Sequence, residues 1–226
     1  MRHSGKEVSM KFIPFSIHTG KENMQIDSDL LDESIRNQSE HPIFRLYGWS
    51  PKCISLGRNQ RDKYYGGKYN NINIDCVRRL TGGRALLHDD EITYSYVAPL
   101  SIIPNGESVI ASYKFISGIL IDFFKTLGVN LNFGENKKVS THYDYCMLIS
   151  TGADVCYQGK KIIGSAQFRK EGYVLQHGSI LFGYDKELLE SIFNEDVKGI
   201  TTVKEILPDI SKEVFVQELE HFLSQL

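Results

Sequence analysis

The sequence has 226 residues, 41% of them hydrophobic and 24% charged, with a formal net charge of −2. That is the balance of a globular chain long enough to bury its own core, and it supplies no global field for nucleic acid or a membrane surface. Cys53, Cys76, Cys146 and Cys156 lack the close spacings of a zinc knuckle, so they read as reduced thiols of a cytoplasmic protein.

Residues 1–10 are polar and read as a disordered leader, with Met10 as an alternative start. A single catalytic domain is expected over 11–226. The apolar patch at 12–15 is too short for a secretory segment or anchor. Met24, Leu30, Leu31 and Ile35 recur at helical spacing and predict a helix over 22–38. Strands are predicted at 43–47 and 53–57 around the turn Trp49-Ser50-Pro51, then at 72–79 and 92–97, with a loop at Thr81-Gly82-Gly83-Arg84 between the last two. Residues 107–127 carry Ile110, Tyr113, Ile116, Leu120, Phe123 and Phe124 and predict the strongest helix, stopped at Gly128. It is interrupted by Gly118 and Asp122 and reads as a core helix, not a membrane span. A hairpin over Gln158-Gly159 joins strands at 154–157 and 161–168, and 172–182 returns as a further strand. The tail is helical, with a capping box from Thr202 to Glu205. Strands and helices mix without strict alternation, so the predicted class is α+β.

Charge is uneven along the chain. Between 58 and 84, Arg58, Arg61, Lys63, Lys68, Arg78, Arg79 and Arg84 outnumber Asp62 and Asp75, a local charge of +5, whereas 183–226 carries −6. These are either two solvated faces or a basic site for an anionic partner.

Four constellations carry chemistry. In Arg78-Arg79-Leu80-Thr81-Gly82-Gly83-Arg84-Ala85-Leu86-Leu87-His88-Asp89, paired glycines make a turn or let a backbone approach a ligand, and flanking arginines suit a phosphate or phosphopantetheine arm. In Lys160-Lys161-Ile162-Ile163-Gly164-Ser165-Ala166, a lysine within an apolar strand needs an anion if buried. Alternation places Lys161 and Ile163 on one face, and the small residues after them leave room for a ligand. Gln176-His177-Gly178-Ser179 interrupts an apolar strand with polar groups, as a pocket lining or a bulge does. Cys146 stands in a polar, turn-rich stretch with His142 four residues earlier. It is either a small buried hydrophobe or an accessible thiol.

Together, RRLTGGRALLHDDEITYS, GKKIIGSAQFRKEGYVLQHGSILF and the upstream RLYGWSPKCISLGRNQ resemble the lipoate–protein ligase and octanoyltransferase superfamily. The likeness runs over about residues 22–195. It implies a mixed, mostly antiparallel sheet packed on helices, related to biotin protein ligase and lipoate ligase catalytic domains, with a tunnel for an acyl chain. It also implies that Arg79, the stretch Thr81, Gly82, Gly83, Arg84, Ala85, Leu86, Leu87 and His88, then Gly164, Ser165 and Ala166, and Gly178, Ser179 and Ile180 surround the substrate. Lys161 falls on the family's lysine. Cys146, fifteen residues earlier, looks like the nucleophile of the cysteine-dependent octanoyltransferase branch described from Gram-positive bacteria. Met147 and Gly57-Arg58-Asn59-Gln60 depart from that branch.

The implied reaction moves octanoyl from acyl carrier protein to Cys146 and then to a lysine of a lipoyl domain, such as the glycine-cleavage H protein or an E2 subunit. No cofactor is required for it. The alternatives are an ATP- and Mg²⁺-dependent lipoate ligase and a non-catalytic acyl or carrier-binding protein. Large ligases of the family carry an extra C-terminal domain, and this sequence ends soon after the shared core, which favours the transferase.

Overall fold

The structure, a computed structural model, describes residues 9–61, 73–134, 147, 154–194 and 197–226. Its centre is a seven-stranded sheet. In chain order these strands are β1 (Lys11–His18), β2 (Ile43–Trp49), β6 (Glu91–Pro99), β7 (Asn132–Phe133), β8 (Val155–Tyr157), β9 (Lys160–Lys170) and β10 (Tyr173–Leu181). Their spatial order is β1-β2-β6-β10-β9-β8-β7; β1 and β2 run parallel and every other neighbouring pair antiparallel. A second sheet joins β3 (Lys52–Leu56) to β4 (Ile74–Arg78) on one side and β5 (Leu86–His88) on the other. The fold is α+β with a mixed, mostly antiparallel sheet, as the sequence predicts.

Helices cover both faces of the large sheet. On one lie α2 (Val109–Thr126) and, near the C-terminus, α5 (Lys212–Leu223); Ile116, Leu120, Phe123 and Phe124 of α2 meet Phe215 and Leu219 of α5 in the main core. On the other lies α1 (Gly20–Arg36), and α3 (Lys186–Phe193) packs its Leu189, Ile192 and Phe193 with Ile54 and Leu56 of the small sheet. A short α4 (Val203–Ile206) starts at Thr202, whose side chain accepts from the Glu205 amide. Among the described residues no helix is long and apolar enough to cross a membrane.

Three local readings change. Strand β1 occupies what the sequence presents only as a short apolar patch. Pro14 is tolerated because β1 is an edge strand whose register shifts between Ile13 and Ser16. Helix α1 does not turn its apolar stripe squarely inward: its buried residues are Gly20, Asn23, Asp27, Leu31 and Ser34, while Met24, Leu30 and Ile35 are half-buried. The polar groups go inward because Arg45 meets them there. Finally, a register shift between Val155 and Cys156 of β8, where it pairs with β9, breaks strict alternation. Ile162 and Ile163 both enter the main core, and Lys161 parts from Ile163 to lie by Gly164.

Candidate active site

One row of residues crosses four neighbouring strands: Gly164 of β9 pairs with Ser179 of β10, Ser179 with Thr93 of β6, and Thr93 with Tyr47 of β2. Three small side chains followed by an aromatic one leave a trough on the sheet. Trp49, stacked on His88 at 3.8 Å, forms a wall, and α1 lays Met24 over the trough. The result is a narrow, partly open cavity of about 30 Å³, bordered also by Arg79, Leu86, Met147, Ala166, His177 and Gly178.

Two hydrogen-bonded relays hold its polar lining. Arg79 places Nη1 2.6 Å from both the Ser55 carbonyl and Ser55 Oγ, Nη2 on the carbonyls of Gly82 and Arg84, and Nε 3.4 Å from Thr81 Oγ1. Ser55 Oγ lies 2.7 Å from His88 Nε2, and His88 Nδ1 lies 3.2 Å from Glu91. In parallel, Thr81 Oγ1 lies 2.7 Å from His177 Nε2, and His177 Nδ1 lies 3.2 Å from Asp27. Carboxylates only accept, so each histidine carries its hydrogen on Nδ1; neutral His88 then takes the Ser55 hydroxyl hydrogen on Nε2. Burial pushes the His88 pKa below the ordinary histidine value, against the pull of Glu91. Glu91 further accepts from Thr93 and Ser179. Burial alone would raise the Asp27 carboxyl, but His177, the Arg45 guanidinium and Ser95 outweigh it and hold it below its usual range.

At the β9 end stands Lys161, 2% exposed, its Nζ 2.9 Å from Asp154 Oδ1. The ammonium is buried because it meets an anion, as the apolar strand around it requires. A Cβ built on Gly164 would meet Met147 Sδ at 2.5 Å, Lys161 Cε at 2.9 Å and Lys161 Nζ at 3.3 Å. Gly164, which borders the cavity, therefore leaves the space beside which the lysine's end packs.

The sequence-predicted residues divide into groups. Arg79, Leu86, His88, Gly164, Ser165, Ala166, Gly178 and Ser179 border the cavity, although the Ser165 hydroxyl is bonded to Tyr94 Oη at 2.8 Å. Thr81, Gly82, Gly83 and Arg84 stand one step back. Thr81 and the carbonyls of Gly82 and Arg84 engage Arg79, and Gly83, at φ 92°, carries the carbonyl against which Gly57 packs. Ala85, Leu87 and Ile180 are buried in the core. Cys146 lies outside the described residues; Met147, which follows it in the chain, is buried at the Lys161 end. The GG loop holds Arg79 through the carbonyls of Gly82 and Arg84. Sequence reasoning missed Met24, Tyr47, Trp49, Thr93, Asp27 and Glu91. The available signal was Asn23 and Asp27 four residues apart on the face that Leu31 continues.

The profile described as "Lipoyl protein ligase A/B catalytic domain" matches residues 19–224, and the chain belongs to that family. Among curated proteins it is similar to "Octanoyltransferase LipM" of Macrococcus caseolyticus, 38% identical over 185 residues that span 76% of this chain and 65% of that protein. The protein of the same name from Carboxydothermus hydrogenoformans is 36% identical over 181 residues, 79% of this chain and 67% of that one. The chain thus spans about two thirds of the length of these relatives. A solved structure of lipoate-protein ligase A bound with ATP shares the fold, with a TM-score of 0.74 and 20% identity over 96% of this chain and 85% of that one.

Proposed function

We propose that this chain is an octanoyltransferase that moves an octanoyl group from acyl carrier protein to a lysine of a lipoyl domain, through a thioester on Cys146. The observation that carries this reading is the cavity bordered at one end by Gly164 and by Met147, the residue directly after Cys146, with the buried Lys161 packed beside Gly164. An acyl chain is an elongated apolar ligand with one reactive end, and the cavity has apolar walls and a buried cation next to one end. The names of the relatives point the same way.

The chemistry runs in two exchanges. A thiol of ordinary pKa is only a few per cent ionised at neutral pH, and a neighbouring ammonium draws that pKa down. The Cys146 thiolate attacks the donor's thioester carbonyl, and the carrier's thiolate leaves and takes up a proton. The lipoyl-domain lysine then attacks the Cys146 thioester as a neutral amine, loses a proton, and expels the Cys146 thiolate as the amide forms. Thioester exchange is nearly balanced and the amide is the more stable product, so no ATP enters. Lys161, held by Asp154, stabilises the oxyanion in both exchanges.

Intact-mass spectrometry tests this directly. Octanoyl acyl carrier protein, an apo lipoyl domain and the enzyme, mixed without ATP, are expected to give an octanoylated acceptor, and Cys146→Ala to give none. Transfer that persists in Cys146→Ala, or that appears only with lipoate, ATP and Mg²⁺, would overturn the cysteine route and make the chain a ligase.

A further inference from the structure

Met24 borders two spaces at once. It lines the cavity, and it also lines an open outer groove between α1 and β4, bounded by Lys21, Gln25, Ser28, Cys76, Val77, Arg78 and Leu80, of about 420 Å³. Its position along the cavity follows from the sheet. The row Gly164–Ser179–Thr93–Tyr47 begins beside Lys161 and ends at β2. The start of α1 stands over that β2 end: Asn23 Nδ2 donates to the Gly48 carbonyl at 3.0 Å, and a Cβ on Gly20 would meet Val77 and Trp49. Met24, one residue on from Asn23, is thus at the end opposite Lys161.

An octanoyl chain laid along this row would take up its length and little would be left over. Neighbouring strands lie ~4.8 Å apart, so the row spans about 14 Å from β9 to β2. Three bonds of an extended chain cover 3.8 Å, so the seven bonds of an octanoyl group cover ~9 Å, and the radii of its two ends take up the rest. Four further carbons add ~5 Å on the same scale and would reach Met24.

The backbone there is fixed and the side chain is not. Asn23 and Asp27 flank Met24 and are buried and bonded to Arg45, at 2.6 Å and 2.9 Å. Met24 itself is half-buried, unbranched and adaptable. Beyond it the groove continues over the apolar Val77 and Leu80, with Lys21, Gln25, Ser28 and Arg78 also along it.

We infer that Met24 is the distal gate of the acyl cavity. It sets the upper limit on chain length, and the α1–β4 groove receives the tail of a longer chain once that side chain is cut back. This inference rests on the acyl-transfer reading and adds to it a residue that determines substrate length.

The test compares hexanoyl, octanoyl, decanoyl and dodecanoyl acyl carrier protein as donors, with acceptor mass as the readout. Alongside it, calorimetry follows binding of octanoic and dodecanoic acid, which needs no turnover. The native chain is expected to transfer dodecanoyl at least ~10-fold more slowly than octanoyl, as a hydrophobic pocket that must reject extra methylenes does. Met24→Ala is expected to bring dodecanoyl to within ~3-fold of octanoyl, and Met24→Phe to favour hexanoyl over octanoyl. Ser28→Trp, one helical turn along and facing the groove, should restore the octanoyl limit when added to Met24→Ala. Unchanged length profiles in both Met24 variants would overturn the gate. If the native chain transfers nothing without ATP, the transfer reading fails, and the gate is then decided by the fatty-acid binding profiles alone.

Discussion

Lys161 and Gly164 act as a pair: the lysine's end packs beside the cavity-lining glycine because the glycine leaves space, and the contacts that crowd a Cβ at Gly164 are ends of flexible side chains. Gly164→Ala is therefore expected to fold with a stability change under about 1 kcal/mol while displacing the ammonium, and displacements near 1 Å cost up to ~100-fold in rate. A fall in octanoyl transfer of ~10-fold or more with an unchanged urea midpoint is the expected result; full transfer would mean that the ammonium's position does not limit the reaction. Gly178 makes the opposite case. A Cβ there would meet the Gly164 carbonyl at 2.8 Å, the Tyr94 ring at 2.7 Å and Ser165 Oγ at 2.5 Å, and two of these belong to backbone and a buried ring. Gly178→Ala should lose about 1–3 kcal/mol by overpacking. At this scale the sequence was a good guide to which residues gather. Arg79, which borders the cavity, is also a buried brace: its N–H groups meet Ser55 of β3 and Thr81, Gly82 and Arg84 of the loop.

Among the elements, α1 supports the site from two successive turns: Met24 borders the cavity, Asp27 holds His177, and Asn23 ties the helix to Gly48 and Arg45. Its start is fixed by a capping box. Thr19 Oγ1 accepts from the Glu22 amide at 3.3 Å, and the Thr19 amide donates to Glu22 Oε2 at 2.9 Å. Thr19→Ala is expected to lower stability by about 1 kcal/mol, read as a drop of ~2–4 °C in melting temperature. No change would mean that Asn23 and the packing of Gly20 hold the first turn without the cap. The long helices and the β9–β10 hairpin were legible because their periods are sustained. Strands β5 and β7, with three and two residues, offer no period to read. The displacement of Lys161 from the face of Ile163 was illegible because a bulge depends on the partner strand, not on the strand's own residues.

At the scale of the whole molecule, the two relays tie α1, both sheets and the Arg79 loop together through buried groups whose charge states are fixed by folding. The long segments gave the α+β class from sequence, but the closure of the small sheet over the large one depends on these pairings of residues far apart in the chain: Thr81 with His177, and Asp27 with Arg45 and His177. They make stability depend on pH with a predictable sign. The folded His88 pKa lies below the ordinary value of 6.5 because burial disfavours the imidazolium. Below pH 6.5 the unfolded chain binds a proton that the folded chain refuses, so stability is full above that pH. It falls as pH drops toward the lowered value, by at most about 1.4 kcal/mol per pH unit from this group. Asp27 acts in a second window. Its folded pKa lies below the ordinary 3.8, so its contribution is present above that value and is lost as pH falls through the folded one. Melting temperature is thus expected to be level from pH 8 to 7, to decline below about 6.5, and to decline again below about 4. His88→Asn should flatten the first decline and leave the second, because the asparagine has no proton to refuse. If the variant keeps the first decline unchanged, the neutral buried imidazole of His88 is not its source, and the relay through Ser55 and Glu91 is insensitive to protonation.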